Sequence, residues 1–110
     1  IVRSVSEDRY IGYSKKKNLE LVDQGKKEFI EFYLMYPYDK KIATKGNGIM
    51  IVFNAKTKDM VDKFYQIGLE YGGTDEGLPG PRHQEHYYAY IRDLDGNKIC
   101  AFATHSNLDI

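Results

Sequence analysis

The run Tyr87-Tyr88-Ala89-Tyr90-Ile91-Arg92-Asp93-Leu94-Asp95-Gly96-Asn97-Lys98-Ile99-Cys100-Ala101-Phe102 constrains the fold of this chain more than any other. Two stretches rich in aromatic and β-branched residues flank Asp-Leu-Asp-Gly-Asn. Such a run folds as a β-hairpin, because the glycine supplies the positive φ that the turn needs. Loop length then decides which side chains share a face. A three-residue loop, Leu94-Asp95-Gly96, sets Asp93 opposite Asn97, and with it Tyr90 opposite Cys100, Tyr88 opposite Phe102 and Ile91 opposite Ile99. One face becomes Ala89, Ile91, Ile99 and Ala101, small and aliphatic, suited to lie under a helix. The other becomes Tyr88, Tyr90, Cys100 and Phe102, aromatic with polar tips, suited to line a pocket. A two-residue loop at Asp95-Gly96 would mix these sets, so their segregation selects the longer loop.

Upstream, residues 1–6 alternate apolar and polar and read as a strand, and residues 9–13 read as a second one after the turn-forming Ser6-Glu7-Asp8. Residues 14–27 are polar and lysine-rich, with Leu19-Glu20-Leu21-Val22 open to either strand or loop. Residues 28–36 form a third strand, with Phe29, Glu31, Tyr33 and Met35 on one face. A connector over 37–48 is punctuated by Pro37, Asp39 and Gly46-Asn47-Gly48. Residues 49–54 are apolar in both registers, the pattern of a strand covered on both sides: Ile49, Ile51 and Phe53 point one way, Met50, Val52 and Asn54 the other. A helix follows over 58–71, capped by Thr57 and ended by Gly72-Gly73, with Val61, Phe64, Tyr65 and Gly68 on one face. Residues 74–85 read as a Gly/Pro-rich loop with room for a short strand near its start.

Length and charge narrow the function classes. A chain of 110 residues is one domain with an ordinary core. Sixteen basic and sixteen acidic residues balance to zero, which speaks against a general nucleic-acid or anionic-membrane surface, since both need a basic excess. Lys15-Lys16-Lys17 reads as a solvated loop. Cys100 is the sole cysteine, so there is no intrachain disulfide and a reducing cytoplasm is the expected compartment. No apolar run approaches the ~18 residues that span a bilayer, and no signal-peptide pattern is present.

The stretch from Gly46-Asn47-Gly48-Ile49-Met50-Ile51-Val52-Phe53, through Val61-Asp62-Lys63-Phe64, Gly72-Gly73-Thr74-Asp75-Glu76-Gly77 and Gly80-Pro81-Arg82, to the hairpin resembles the vicinal oxygen chelate superfamily. That superfamily holds glyoxalase I, bleomycin-resistance proteins and extradiol dioxygenases; within it the chain is similar to small, uncharacterised glyoxalase-like bacterial proteins. Agreement covers residues 46–104, and more loosely Tyr10-Ile11-Gly12-Tyr13 and Phe32-Tyr33-Leu34. The resemblance implies an α+β fold of paired βαβββ modules whose mixed sheets curl into a cup. On that pattern 1–36 is the remnant of a first module, 37–48 the connector, 49–104 a complete second module and 105–110 a tail. The first module lacks its opening strand and helix here, and the chain begins Ile1-Val2-Arg3 without methionine. The expectation is that Ile1 is a truncation point or the edge of an ordered fragment, with a strand–helix unit of roughly 30 residues before it. A cup short of one wall exposes a strand edge and invites pairing with a second copy, so a homodimer is expected.

The resemblance also places the family's metal positions. In the second module the usual His falls at Met50 and the usual Glu at Cys100, while Glu31 lies at or near the ligand position on the last strand of the first. A thioether and a thiol are poor donors for a hard divalent ion, so no metal is expected and Glu31 is the single plausible retained ligand. The alternative is a divalent Zn, Ni, Fe or Mn ion. Candidate cup residues are Glu31, Tyr33, Met50, Val52, His83, His86, Tyr88, Tyr90, Arg92, Cys100 and Phe102. Tyr33, Tyr87, Tyr88 and Tyr90 can stack on a planar ligand or fill core positions. His83 and His86 stand at the cup mouth or are simply solvated, and Arg92 binds an anionic substituent or pairs with carboxylates at the rim. Three functions stay open: a metal-dependent glyoxalase-like lyase or isomerase, or a dioxygenase-type enzyme; a non-catalytic module sequestering a small aromatic or oxygenated molecule; and a metal-free enzyme using His83 or His86 as general base. The tyrosine-rich, donor-poor pocket favours the second.

Overall fold

The computed structural model of the chain describes residues 3–6, 10–14 and 32–104. Its elements run β1 (Arg3–Ser6), β2 (Tyr10–Ser14), β3 (Phe32–Met35), β4 (Ile51–Asn54), α1 (Lys58–Glu70), β5 (Thr74–Arg82), β6 (His86–Arg92) and β7 (Lys98–Ala103). They fall into two compact units, Ile1–Ala43 and Thr44–Ile110. The expected features at Lys15-Lys16-Lys17, Leu19-Glu20-Leu21-Val22, residues 28–31 and His105 lie outside the described residues. Within the first unit β1, β2 and β3 form an antiparallel sheet in that order, with Gly12 opposite Tyr33 and Tyr10 opposite Met35.

The second unit is strand, helix and three strands, an α+β arrangement on an open mixed sheet of order β4-β7-β6-β5. β4 runs parallel to β7, while β6 is antiparallel to both its neighbours. The chain leaves β4 at one edge and re-enters the sheet as β5 at the other, so α1 must cross the sheet face between them.

The β6–β7 hairpin has the expected register: Tyr90 faces Cys100, Tyr88 faces Phe102 and Ile91 faces Ile99. Its loop closes through Asp93 N–H to Asn97 O at 2.9 Å and Gly96 N–H to Asp93 O at 3.0 Å, with Gly96 at φ 86°. The Asp93 carboxylate holds the turn from inside, accepting from the backbone N–H of Asp95 and Asn97 and from Asn97 Nδ2. An Asx turn of this kind explains why Asp and Asn occupy those positions.

The helix boundaries follow equally local chemistry. Thr57 Oγ1 accepts the Met60 N–H at 3.2 Å, capping the first turn. At the other end Gly72, at φ 100°, donates its N–H to Leu69 O, and Gly73 donates to Gly68 O at 2.8 Å. This pair of bonds is the Schellman arrangement, which needs a left-handed residue where the helix stops. Between the caps, α1 lays Val61, Phe64 and Tyr65 on Tyr87, Ala89, Ala101 and Ala103, with Ala55 at the margin. Three alanines on the sheet side let the helix approach closely. Gly68 comes closest, since a Cβ there would lie 2.6 Å from Ile91 Cδ1. Complete burial of Val61 stabilises by about 1.5–3 kcal/mol.

Two expectations are corrected. Residues 74–85 are mostly a nine-residue edge strand, β5, rather than a loop with a short strand. Register shifts between Asp75 and Gly77 and between Gly77 and Gly80 absorb the irregular residues, and prolines are tolerated because an edge strand leaves part of its ladder unpaired. Residues 49–54 form a shorter strand, Ile51–Asn54, and coverage is one-sided: Ile51 and Phe53 are half-buried, while Met50, Val52 and Asn54 are exposed. Apolar residues in both registers therefore do not mark a doubly covered strand here; β4 is a sheet edge. No helix among the described residues is long and apolar enough to cross a membrane.

Candidate functional site

The face of the second sheet away from α1 is built by strict alternation. In β6, Tyr87, Ala89 and Ile91 are buried toward the helix, which turns His86, Tyr88, Tyr90 and Arg92 to the other side. Pairing with β7 and β4 then fixes two rows across that side: Val52, Cys100 and Tyr90 in one, and Asn54, Phe102 and Tyr88 in the next. On the edge strand Gly77 stands opposite Tyr90 and Gly80 opposite Tyr88. Gly77 is required by space, because a Cβ would lie 2.7 Å from Tyr90 Cδ2.

The result is an aromatic platform. Tyr88 and Tyr90 stack with their ring planes parallel within 2° and centroids 6.0 Å apart, and Tyr88 stacks on Phe102 at 5.8 Å. His83 meets Tyr88 edge-on at 5.5 Å. It does so from the β5–β6 turn, where His83, Gln84 and Glu85 all take positive φ and the His86 N–H reaches back to His83 O at 3.4 Å. Arg82 and Lys98 each bring a cation to 5.3 Å from the Tyr90 ring centroid. The Arg82 guanidinium also donates to Leu78 O at 2.7 Å and Gly80 O at 3.4 Å on the bulged stretch of β5, and to Tyr88 O at 3.0 Å on β6.

Cys100 lies beneath this platform. It is completely buried, and its thiol donates to Ala101 O at 3.5 Å. Burial pushes the thiol pKa up, against the opposing charges of Lys98 and Arg82. Burial likewise raises the Tyr90 hydroxyl, with Cys100 adding to the shift and Arg82 opposing it. A thiol held protonated is a poor nucleophile and a poor ligand.

The remaining candidates separate. Met50 precedes β4 and is exposed, and Val52, not Met50, is the cross-strand neighbour of Cys100. Arg92 is engaged at the rim: its Nε pairs with Glu76 Oε1 at 2.6 Å and its Nη1 donates to Gly96 O at 3.0 Å. Tyr87 turns to the helix side, where its hydroxyl donates to Asp62 Oδ1 at 2.6 Å. His86 opens β6 opposite Arg82. Tyr33 belongs to β3 of the first unit and is about half exposed; Glu31 lies outside the described residues. Sequence reasoning passed over Arg82 and Lys98 as site residues. Lys98 was accessible to it, two residues before Cys100 and so on the same face. Arg82 was not, because its place depends on the pairing of β5.

The positions that the resemblance assigns to metal ligands do not fit a hard divalent ion. They hold an exposed thioether and a buried, protonated thiol, where oxygen or imidazole donors are needed. Among the described residues no three His, Cys, Asp or Glu side chains gather into a group able to hold a metal.

Comparison with known proteins places this architecture. No protein-family model matches the sequence, and no curated protein matches it either. Among solved structures, the chain is similar to a glyoxalase/bleomycin resistance protein from Albidiferax ferrireducens T118, with 33% identity and a TM-score of 0.74 over 91% of this chain and 73% of that one. A glyoxalase/bleomycin resistance protein/dioxygenase family enzyme from Burkholderia phytofirmans PsJN shares the fold, with 14% identity and a TM-score of 0.56 over 93% of this chain and 79% of that one. The strand–helix–three-strand unit, the register of its hairpin and this similarity agree: the chain belongs to the glyoxalase/bleomycin resistance protein family, within the vicinal oxygen chelate superfamily.

Proposed function

We propose that the chain binds a small aromatic or oxygenated molecule on the Tyr88–Tyr90–Phe102 face and does so without the family's usual metal. The observation that carries this reading is the pairing of a half-exposed, stacked aromatic platform with a buried thiol where a metal-binding carboxylate is usual. Stacked and edge-on rings suit a planar guest, and the Tyr88 and Tyr90 hydroxyls can bond to its oxygens. We propose further that the protein is a cytoplasmic homodimer, a reading supported by the open edge of the sheet and the single cysteine.

The test is a thermal-shift screen of aromatic metabolites and antibiotics, run beside metal analysis of protein purified without chelator. A ligand at about 100 times its Kd stabilises by about 2.7 kcal/mol, a rise in Tm of about 10–20 °C. A hit whose shift disappears in Tyr90→Ala supports the proposal. Stoichiometric Zn, Ni, Fe or Mn with turnover of methylglyoxal–glutathione would overturn it in favour of a metal-dependent lyase or isomerase, and a screen without hits would remove its ground.

A further inference from the structure

We infer that the guest of this face is an anionic aromatic, a planar ring carrying a carboxylate or a comparable oxyanion. The inference rests on the proposed binding role of the face and specifies its ligand. Arg82 and Lys98 come from the edge strand β5 and the inner strand β7, yet both cations lie 5.3 Å from the centroid of one ring, Tyr90. The two charges are therefore at most 10.6 Å apart, twice that radius. At low ionic strength like charges within that distance repel, and an acidic group between them would relieve the repulsion.

Among the described residues no carboxylate does so. Among the described residues Arg82 bonds to the carbonyls of Leu78, Gly80 and Tyr88, and Lys98 forms no ion pair. Arg92, on the same face of β6, is neutralised by Glu76, so an acidic partner is available to this sheet and is spent elsewhere. A ring face attracts a cation but leaves the ammonium's three donors to other acceptors. Nor is the excess a reflection of general basicity, since the whole chain has zero net charge.

The two halves of the face then describe one ligand. Tyr88, Tyr90 and Phe102 offer stacking and edge contacts to a ring, and Lys98 and Arg82, each over the Tyr90 ring at 5.3 Å from its centroid, offer charge-assisted donors to an acid group on the guest. A cationic aromatic would meet the same rings and be opposed by both charges.

Calorimetric titration of the protein with naphthoate, with its neutral counterpart naphthamide and with the cationic naphthylmethylammonium tests this. Naphthoate is expected to bind about tenfold or more tightly than naphthamide at about 20 mM salt, with the ratio shrinking at about 300 mM. Lys98→Gln should lower the naphthoate-to-naphthamide ratio several-fold, and Lys63→Gln, an equal loss of charge on an exposed position of α1, should leave it unchanged. Equal affinity for naphthoate and naphthamide, a preference for the cation, or an unchanged ratio in Lys98→Gln would overturn the inference and leave aromatic binding standing. If none of the three binds, the underlying reading of the face falls with it.

Discussion

Replacing Gly68 with alanine sets two effects of opposite sign against each other, and the structure decides between them. In a helix interior the change stabilises by up to about 1 kcal/mol through helix propensity alone. At this position the new methyl would sit 2.6 Å from Ile91 Cδ1, with Ile91 Cγ2 at 3.5 Å and Cγ1 at 3.7 Å. Ile91 is only 6% exposed, so its terminal methyl has little room to yield. Overpacking of this kind costs about 1–3 kcal/mol, and the balance is a net loss of about 1 kcal/mol. For a chain of this size that lowers Tm by about 4–8 °C. Ile91→Val removes the clashing atom, at about 0.5–1.5 kcal/mol by itself. In that background the nearest remaining contact is ordinary, so Gly68→Ala should change sign and stabilise by up to about 1 kcal/mol. Urea melts of the four proteins, followed by far-UV circular dichroism, complete the cycle and should return a coupling of about 2 kcal/mol. A stabilising Gly68→Ala in the wild-type background, or the same sign in both backgrounds, would refute the seating of α1 on Ile91.

Two further perturbations probe the same unit. Burial and the bond to Asp62 push the Tyr87 hydroxyl up to about 12 from the ordinary 10.0, so the folded state holds that proton more tightly than the unfolded one. The resulting stabilisation is complete below about pH 10 and lost as the pH rises toward about 12; denaturation across that window should show a falling slope that flattens in Tyr87→Phe, and an unchanged slope would remove Tyr87 as its source. Thr57→Ala deletes the bond to the Met60 N–H and should cost about 1 kcal/mol, with Thr57→Ser restoring most of it; equal melts for all three would deny the cap.

What was legible in the sequence was whatever depends on short-range chemistry. The Asp93–Asn97 loop, the Thr57 cap, the Gly72-Gly73 stop and the core stripe of α1 each involve residues a few positions apart, and each can be read from residue type and spacing. From the loop length, the two faces of the hairpin follow by parity. The edge strand β5 was not legible. Its glycines and prolines are loop-formers by local propensity, and they enter a sheet only because β6 offers a ladder and the bulges let the register slip. Misreading that segment hid Arg82, whose place above Tyr90 is a consequence of pairing. The exposure of Val52 was hidden for a related reason: an apolar alternation says which side chains share a face, not what covers it.

These two kinds of residue divide along the sheet itself. Val61, Tyr87, Ala89, Ala101 and Ala103 hold α1 to one side, and the turn is tied by Asp93. None of them reaches the opposite side, where Tyr88, Tyr90 and Phe102 stand. A substitution among the second set therefore leaves the packing of the first intact, so long as the buried position beneath the platform stays uncharged. Cys100 meets that condition: a carboxylate at the same completely buried place would need a bound cation or a hydrogen-bonding partner to offset its desolvation, whereas a protonated thiol needs neither. The hairpin that secures the fold thus keeps its packing with an uncharged side chain at position 100.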